Sequence, residues 1–249
     1  MPIFTRIGEF APIRVPWHQA RSRCVVAVAD AAPYSGFLVH CYSRPYYPSL
    51  IGNAVMCGRF TLGTERARIA EMFRLQRLGQ FDPRYNIAPS QPVLAVRQDA
   101  ATNELEGIFL KWGLIPSWAK EPGIGNSLAN ARADTIATKP AFRSAFKKRR
   151  CLVIADGFYE WKKTNGKTPF YFQLKDQGPF AFAGLWERWE KGEEPVESCT
   201  LITTDANAVV GQVHNRMPVI VRRFIGQEIP AAGGGGPEGT PPGQRLTRR

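Results

Sequence analysis

The 249-residue chain is 44% hydrophobic and 22% charged, the proportions of an ordinary globular protein. Those values exclude a mainly disordered, collagen-like or disulfide-scaffold chain, and no run of about 18 apolar residues is present to span a membrane. Thirty-three Lys and Arg against 21 Asp and Glu leave a net charge of +12, a balance that suits a polyanionic partner, nucleic acid first.

Residues 1–55 hold five Arg, no Lys and two acids, and show no sustained helical or alternating pattern. Their apolar run Cys24–Ala29 is too short for the core of a signal peptide, and the stretch is expected to lie outside the folded core. The middle stretch reads differently. Thr64 can N-cap a helix through about Leu78, with Ile69, Met72, Phe73 and Arg74 spaced for one buried face. Strands are then predicted over Pro92–Arg97, Leu105–Trp112, Cys151–Trp161, Pro169–Leu174, Phe180–Trp186 and Cys199–Thr204. Turn residues such as Thr164–Lys167 separate them. A second helix is predicted across Pro140–Lys148, and its basic end, Lys147–Arg150, reads as a solvated terminus. From residue 222 onward Gly and Pro crowd out any packing pattern, and this tail is expected to be disordered. Many strands and few helices make an α+β domain with a mostly antiparallel, barrel-like β core and peripheral helices.

Five cysteines, Cys24, Cys41, Cys57, Cys151 and Cys199, include no C-x-x-C pair. No zinc site or disulfide framework is expected, and a reducing cytoplasm is the expected location. Cys151 and Cys199 begin apolar strands and read as small core hydrophobes.

Cys57 sits in a polar setting directly after Met56, in Met56-Cys57-Gly58-Arg59-Phe60. If translation began at Met56, aminopeptidase removal of that Met would leave Cys57 with a free α-amine and a thiol on adjacent carbons. Such a 1,2-aminothiol condenses with an aldehyde: the amine, of ordinary pKa near 7.7–8.0, forms a Schiff base and the thiol closes onto the same carbon. The five-membered thiazolidine so formed far outlasts an imine. An internal Cys cannot do this, because its nitrogen is an amide.

Three later segments bear on that chemistry. Ala129–Thr135 follows a Gly-rich loop and contains Asn130 and Arg132. Ala155–Trp161 closes an apolar strand with Glu160 between Tyr159 and Trp161, a setting in which desolvation favours the uncharged carboxyl. Val213–Val219 carries His214, whose imidazole type titrates near neutrality. Together with Arg84–Pro89 and Lys111–Pro116, these motifs resemble the SRAP family of abasic-site processing proteins. The resemblance covers about residues 56–221.

It implies the SRAP fold, with no metal and no organic cofactor, and single-stranded DNA containing abasic sites as partner. By matching motifs, Cys57 would crosslink to the ring-opened aldehyde of the lesion, Asn130 would position the sugar, Glu160 would serve as acid/base and His214 as its partner. Proton exchange by such a pair suits imine formation, which needs an uncharged amine and a protonated leaving hydroxyl. Arg59 and Arg132 match positions that bind flanking phosphates, for which the planar guanidinium fork is suited. Trp112, Ile115, Pro116 and Trp118 resemble an apolar wedge against stacked bases, and Thr204 is a lesser polar contact. The implied role is to shield the lesion during the DNA damage response, with weak lyase activity by β-elimination. A monomer is expected, bound to no membrane and, in a bacterium, associated with the nucleoid.

Two departures from the family pattern stand out. Fifty-five residues precede Met56, and the expected explanation is a start placed too far upstream, with a self-cleaved leader as the alternative. Beyond residue 221 a Gly/Pro-rich tail replaces the helix and strand of the family. The rival readings of function are a thiol autopeptidase that removes its own leader and a non-covalent reader of single-stranded or modified DNA.

Overall fold

A computed structural model of the chain describes residues 58–163 and 167–221, together with the backbone of residues 23–25 and 37–42. In chain order the elements are β1 (Arg23–Val25), β2 (Phe37–Tyr42), β3 (Arg59–Leu62), α1 (Arg66–Phe73), β4 (Arg77–Leu78), β5 (Arg84–Ile87), β6 (Pro92–Gln98), β7 (Leu105–Trp112) and β8 (Asn130–Arg132). There follow α2 (Arg143–Lys148), β9 (Arg150–Ala155), β10 (Gly157–Lys163), β11 (Lys167–Leu174), β12 (Phe180–Trp189), β13 (Val196–Asp205), β14 (Arg216–Pro218) and β15 (Ile220–Val221).

The long apolar strands close on themselves. β7, β6, β9, β12 and β13 pair antiparallel in that order, and a parallel pairing of β13 with β7, Cys199 opposite Trp112, completes the ring. Closure removes the unpaired edges that an open sheet of such apolar strands would expose. The expected barrel-like, mostly antiparallel α+β architecture is therefore what the chain forms.

A second sheet, in the order β1-β2-β11-β10-β3-β5, lies against the barrel. Phe60, Phe158 and Phe172 form its buried face. Phe60 meets Trp112 at 5.1 Å and Phe182 at 5.6 Å between ring centroids, so both sheets share one aromatic core. Edge-on rings of this kind add about 0.5–1.5 kcal/mol per pair beyond the area they bury. The backbones of β1 and β2 extend this sheet from β11, where no folded part of residues 1–55 was expected. The turn predicted at Thr164–Lys167 and the tail from residue 222 lie outside the described residues.

Further differences concern the segment Cys151–Trp161 and the two helices. The segment Cys151–Trp161 is two strands, because at Asp156 the chain leaves the barrel and enters the second sheet: Ala155 pairs with Phe180, whereas Gly157 pairs with Thr61. Helix α1 stops at Phe73 because Arg74 adopts a left-handed conformation, φ 51°. At its other end Thr64 donates to Asp156 rather than capping the helix. Ile69 and Phe73 are buried as expected, but Met72 is exposed. The second helix is also shorter than predicted and begins at Arg143.

Cys151 and Cys199 are buried in the core, as their apolar settings implied. Burial pushes the Cys151 thiol up to about 12 and raises that of Cys199 as well. Since the thiolate is the reactive species, neither should react with a disulfide reagent at pH 8 until the protein is unfolded. Label found on Cys151 or Cys199 in the native state, located by peptide mass, would contradict this placement.

Candidate functional site

Arg59, Asn130 and Arg132 lie on short strands held by the long ones, which themselves carry Glu160 and Thr204. β3 has only four residues, and its position is secured by the side chain of Asp156. That carboxylate accepts from the Thr61 hydroxyl and the Gly63 amide. It also accepts from the Thr64 amide at 2.9 Å and the Thr64 hydroxyl at 3.3 Å. The Asp156 amide in turn donates to the Thr61 carbonyl at 3.0 Å. Next to it, Gly157 is required by space: a Cβ there would sit 2.0 Å from the Tyr171 hydroxyl oxygen, which lies 2.8 Å from the Thr61 hydroxyl.

So anchored, β3 runs antiparallel to β10 with Phe60 opposite Phe158 and Arg59 opposite Tyr159. Glu160 follows Tyr159 and is 2% exposed. Side chains alternate along a strand, so Glu160 shares the buried face of Phe158. Tyr159 and Trp161, with ring centroids 6.4 Å apart, share the opposite face with Tyr171, 4.9 Å from Tyr159. The burial of Glu160 therefore does not come from its neighbours in sequence, contrary to expectation. Glu160 lies on the face that carries the buried Phe158. Arg59 is half-buried and has no ion-pair partner among the described residues.

A second group gathers along β13. After β7 the chain loops away and returns as β8, which pairs in parallel with β13: Asn130 opposite Leu201, Arg132 opposite Thr203. The loop closes on itself at Gly113, whose φ of +133° and 2.6 Å approach of any added Cβ to the Gly125 carbonyl exclude a side chain. On the other side β14 pairs with β13, Met217 opposite Thr204. His214 leads into β14. Its amide donates to the Val210 carbonyl at 2.9 Å, in a turn that the Asn207 side chain caps by accepting from Val209 and Val210. The Arg216 amide donates to His214 Nδ1 at 3.1 Å. Nδ1 also lies 3.4 Å from the Arg216 carbonyl, so the backbone of Arg216 holds the ring on that side.

Sequence reasoning missed Arg216, which is buried. Its guanidinium donates to Asp205 and to the Thr203 carbonyl, both at 2.8 Å, tying β14 to β13. The exposed Arg132 is ion-paired to Asp134 through two hydrogen bonds, of 3.1 and 2.7 Å. The Arg132 guanidinium holds the Asp134 carboxyl down at about 2.

The apolar wedge needs correction. Trp112 and Ile115 are each 0% exposed, and Pro116 is buried. Trp112 is packed on Phe60 and donates its indole N–H to the Ala129 carbonyl at 2.9 Å, while the Ile115 amide donates to Ser198. Trp112 and Ile115 have no surface with which to meet bases, and Pro116 has little. Of that segment only Trp118 is a large exposed aromatic, at 54%.

The structure thus places Asn130 and Arg132 on β8, Thr204 on β13 and His214 at the entry to β14; β8 and β14 both pair with β13. Arg59 and Glu160 lie on the paired strands β3 and β10, Arg59 on the Tyr159 face and Glu160 on the opposite, buried face. Phe60, Trp112 and Ala129 form the bridge between the two groups. Cys57 lies outside the described residues. Among the described residues no group of three or more His, Cys, Asp or Glu could hold a metal ion, and no helix is long and apolar enough to cross a membrane.

Comparison with known families decides the relationship. The profile described as SOS response associated peptidase (SRAP) matches residues 56–228. The chain belongs to the SRAP family. SRAP relatives include the abasic site processing protein YoqW of Bacillus subtilis, 46% identical over 172 residues, covering 67% of this chain and 76% of that protein. The abasic site processing protein YedK of Escherichia coli is 32% identical over 189 residues, covering 70% of this chain and 81% of YedK. Among solved structures, a protein from Bacteroides thetaiotaomicron superposes with a TM-score of 0.59 at 28% identity, covering 66% of this chain and 77% of its own.

Proposed function

We propose that this SRAP protein processes abasic sites in DNA, and that it does so by forming a covalent crosslink to them in single strands once Cys57 is its N-terminal residue. The uncharged α-amine of Cys57 adds to the aldehyde carbon of the ring-opened sugar. The carbinolamine loses its hydroxyl as water on protonation. The thiol sulfur then adds to the imine carbon, and its proton passes to nitrogen, closing the thiazolidine with a net loss of one water. Glu160 and His214 exchange the protons, while Asn130 orients the sugar. Arg59 and Arg132 hold flanking phosphates, Arg132 on releasing Asp134, and Thr204 supplies a polar contact.

The observation that carries this reading is the register of β3 and β10, in which the strand reached two residues after Cys57 is bonded to the strand of the buried Glu160. Names of relatives at 32–46% identity support the substrate class. The test is intact mass after incubation with single-stranded DNA containing one abasic site. Protein started at Met56 should lose that Met and gain the mass of the oligonucleotide less one water, while the chain that keeps residues 1–56 should gain nothing. No adduct on the Met56-start protein, or equal adducts on both, would overturn the reading.

A further inference from the structure

We propose that Asp156 is a positioning residue for the crosslinking reaction, clamping the strand that follows Cys57 onto the strand of Glu160; this rests on the function proposed above. β3 spans four residues and shares three Cα pairings with β10 and two with β5, the latter with a register irregularity. So short a strand is held weakly by its ladder alone. One carboxylate makes up the difference: it accepts from both hydroxyls and two amides of the segment Thr61–Thr64, while the Asp156 amide returns a bond to Thr61. Asp156 also stands where the chain crosses from barrel to second sheet, four residues before Glu160. It therefore ties the entry of the reactive strand to the origin of the strand bearing the buried carboxyl.

Reaction between a bound aldehyde and an amine depends on holding both in near-attack geometry, and misplacement by about 1 Å can cost on the order of 10²-fold. The Asp156 carboxylate is engaged by the protein itself, at Thr61, Gly63 and Thr64. Loss of the clamp should consequently slow the bonded step without weakening DNA binding. Asn keeps the shape of Asp but loses the charge: with its NH2 turned to Thr61 the hydroxyl bond is reversed, and the amides of Gly63 and Thr64 are left on a neutral oxygen, a weaker acceptor than a carboxylate.

The experiment compares Met56-start wild type and Asp156→Asn, both shown folded by circular dichroism, in single-turnover crosslinking across DNA concentrations. The expected result is a saturating rate lower by about 10- to 100-fold with the half-saturating DNA concentration unchanged. A purely structural role would give fewer adducts, formed at the wild-type rate, and that outcome overturns the inference. Thr61→Val decides the matter if Asp156→Asn does not fold. It removes the hydroxyl that meets Asp156, Tyr171 and the Gly157 carbonyl, and should slow the saturating rate in the same direction; an unchanged rate overturns the inference. Absence of any adduct with wild type would instead sink the crosslinking reading, and this inference with it.

Discussion

In protein started at Met56, Cys57→Ala should give no heat-stable adduct with abasic single-stranded DNA, the largest loss of activity expected of any single substitution. The reason is chemical rather than structural. Alanine keeps the α-amine, so the Schiff base still forms, but nothing can close the ring, and imine hydrolysis returns free protein. Reduction with borohydride should therefore still trap the Ala variant on the DNA, while heating without reduction should release it. Cys57→Ser should behave like Ala on heating, since a hydroxyl is a far weaker nucleophile toward the imine carbon than a thiol. Intact mass with and without borohydride separates the cases. A heat-stable, unreduced adduct on the Ala variant would mean that some other nucleophile makes the lasting bond. Cys151 and Cys199 are poor candidates, being buried thiols raised by desolvation.

How much of this was legible in the chain depended on the length of each element. β7 was readable to the residue, and β6 and β12 nearly so, because long apolar runs bounded by turns have few alternatives to a buried strand. The short strands of the candidate site were not legible. β3, β8 and β14 have three or four residues and no pattern of their own; they exist because β10 and β13 offer them a ladder. For the same reason the tie between β14 and β13 through the buried Arg216 guanidinium has no local signature. The division of Cys151–Trp161 at Asp156 was hidden because both halves are apolar and only the pairing partner changes. Glu160 was found by motif, but the reason for its burial was misjudged: in a strand its neighbours Tyr159 and Trp161 point the other way. Motifs also do not distinguish inside from outside, which is why Trp112, Ile115 and Pro116 passed as a surface wedge until their burial was seen.

That correction makes Trp112 the site of the largest expected loss of stability. Its ring is fully buried against Phe60, and its indole N–H satisfies the Ala129 carbonyl. Its backbone donates to Gln91 and accepts from Ser90, and it pairs with Cys199 where β7 and β13 close the barrel. Trp112→Ala should cost about 3–5 kcal/mol for the lost ring and the cavity left behind. Trp112→Phe should cost less, about 1–3 kcal/mol, largely from the Ala129 carbonyl left without its donor. Because domain stabilities are typically about 5–15 kcal/mol, the Ala variant stands near the limit of folding and its unfolding midpoint in urea should fall sharply. Ala129 immediately precedes Asn130, and Phe60 immediately follows Arg59, so the same ring holds the two halves of the candidate site in register. The Phe variant should accordingly bind abasic DNA close to normally while crosslinking more slowly. The opposite pattern, full stability with DNA binding lost, would show that Trp112 reaches the bases after all and would restore the wedge.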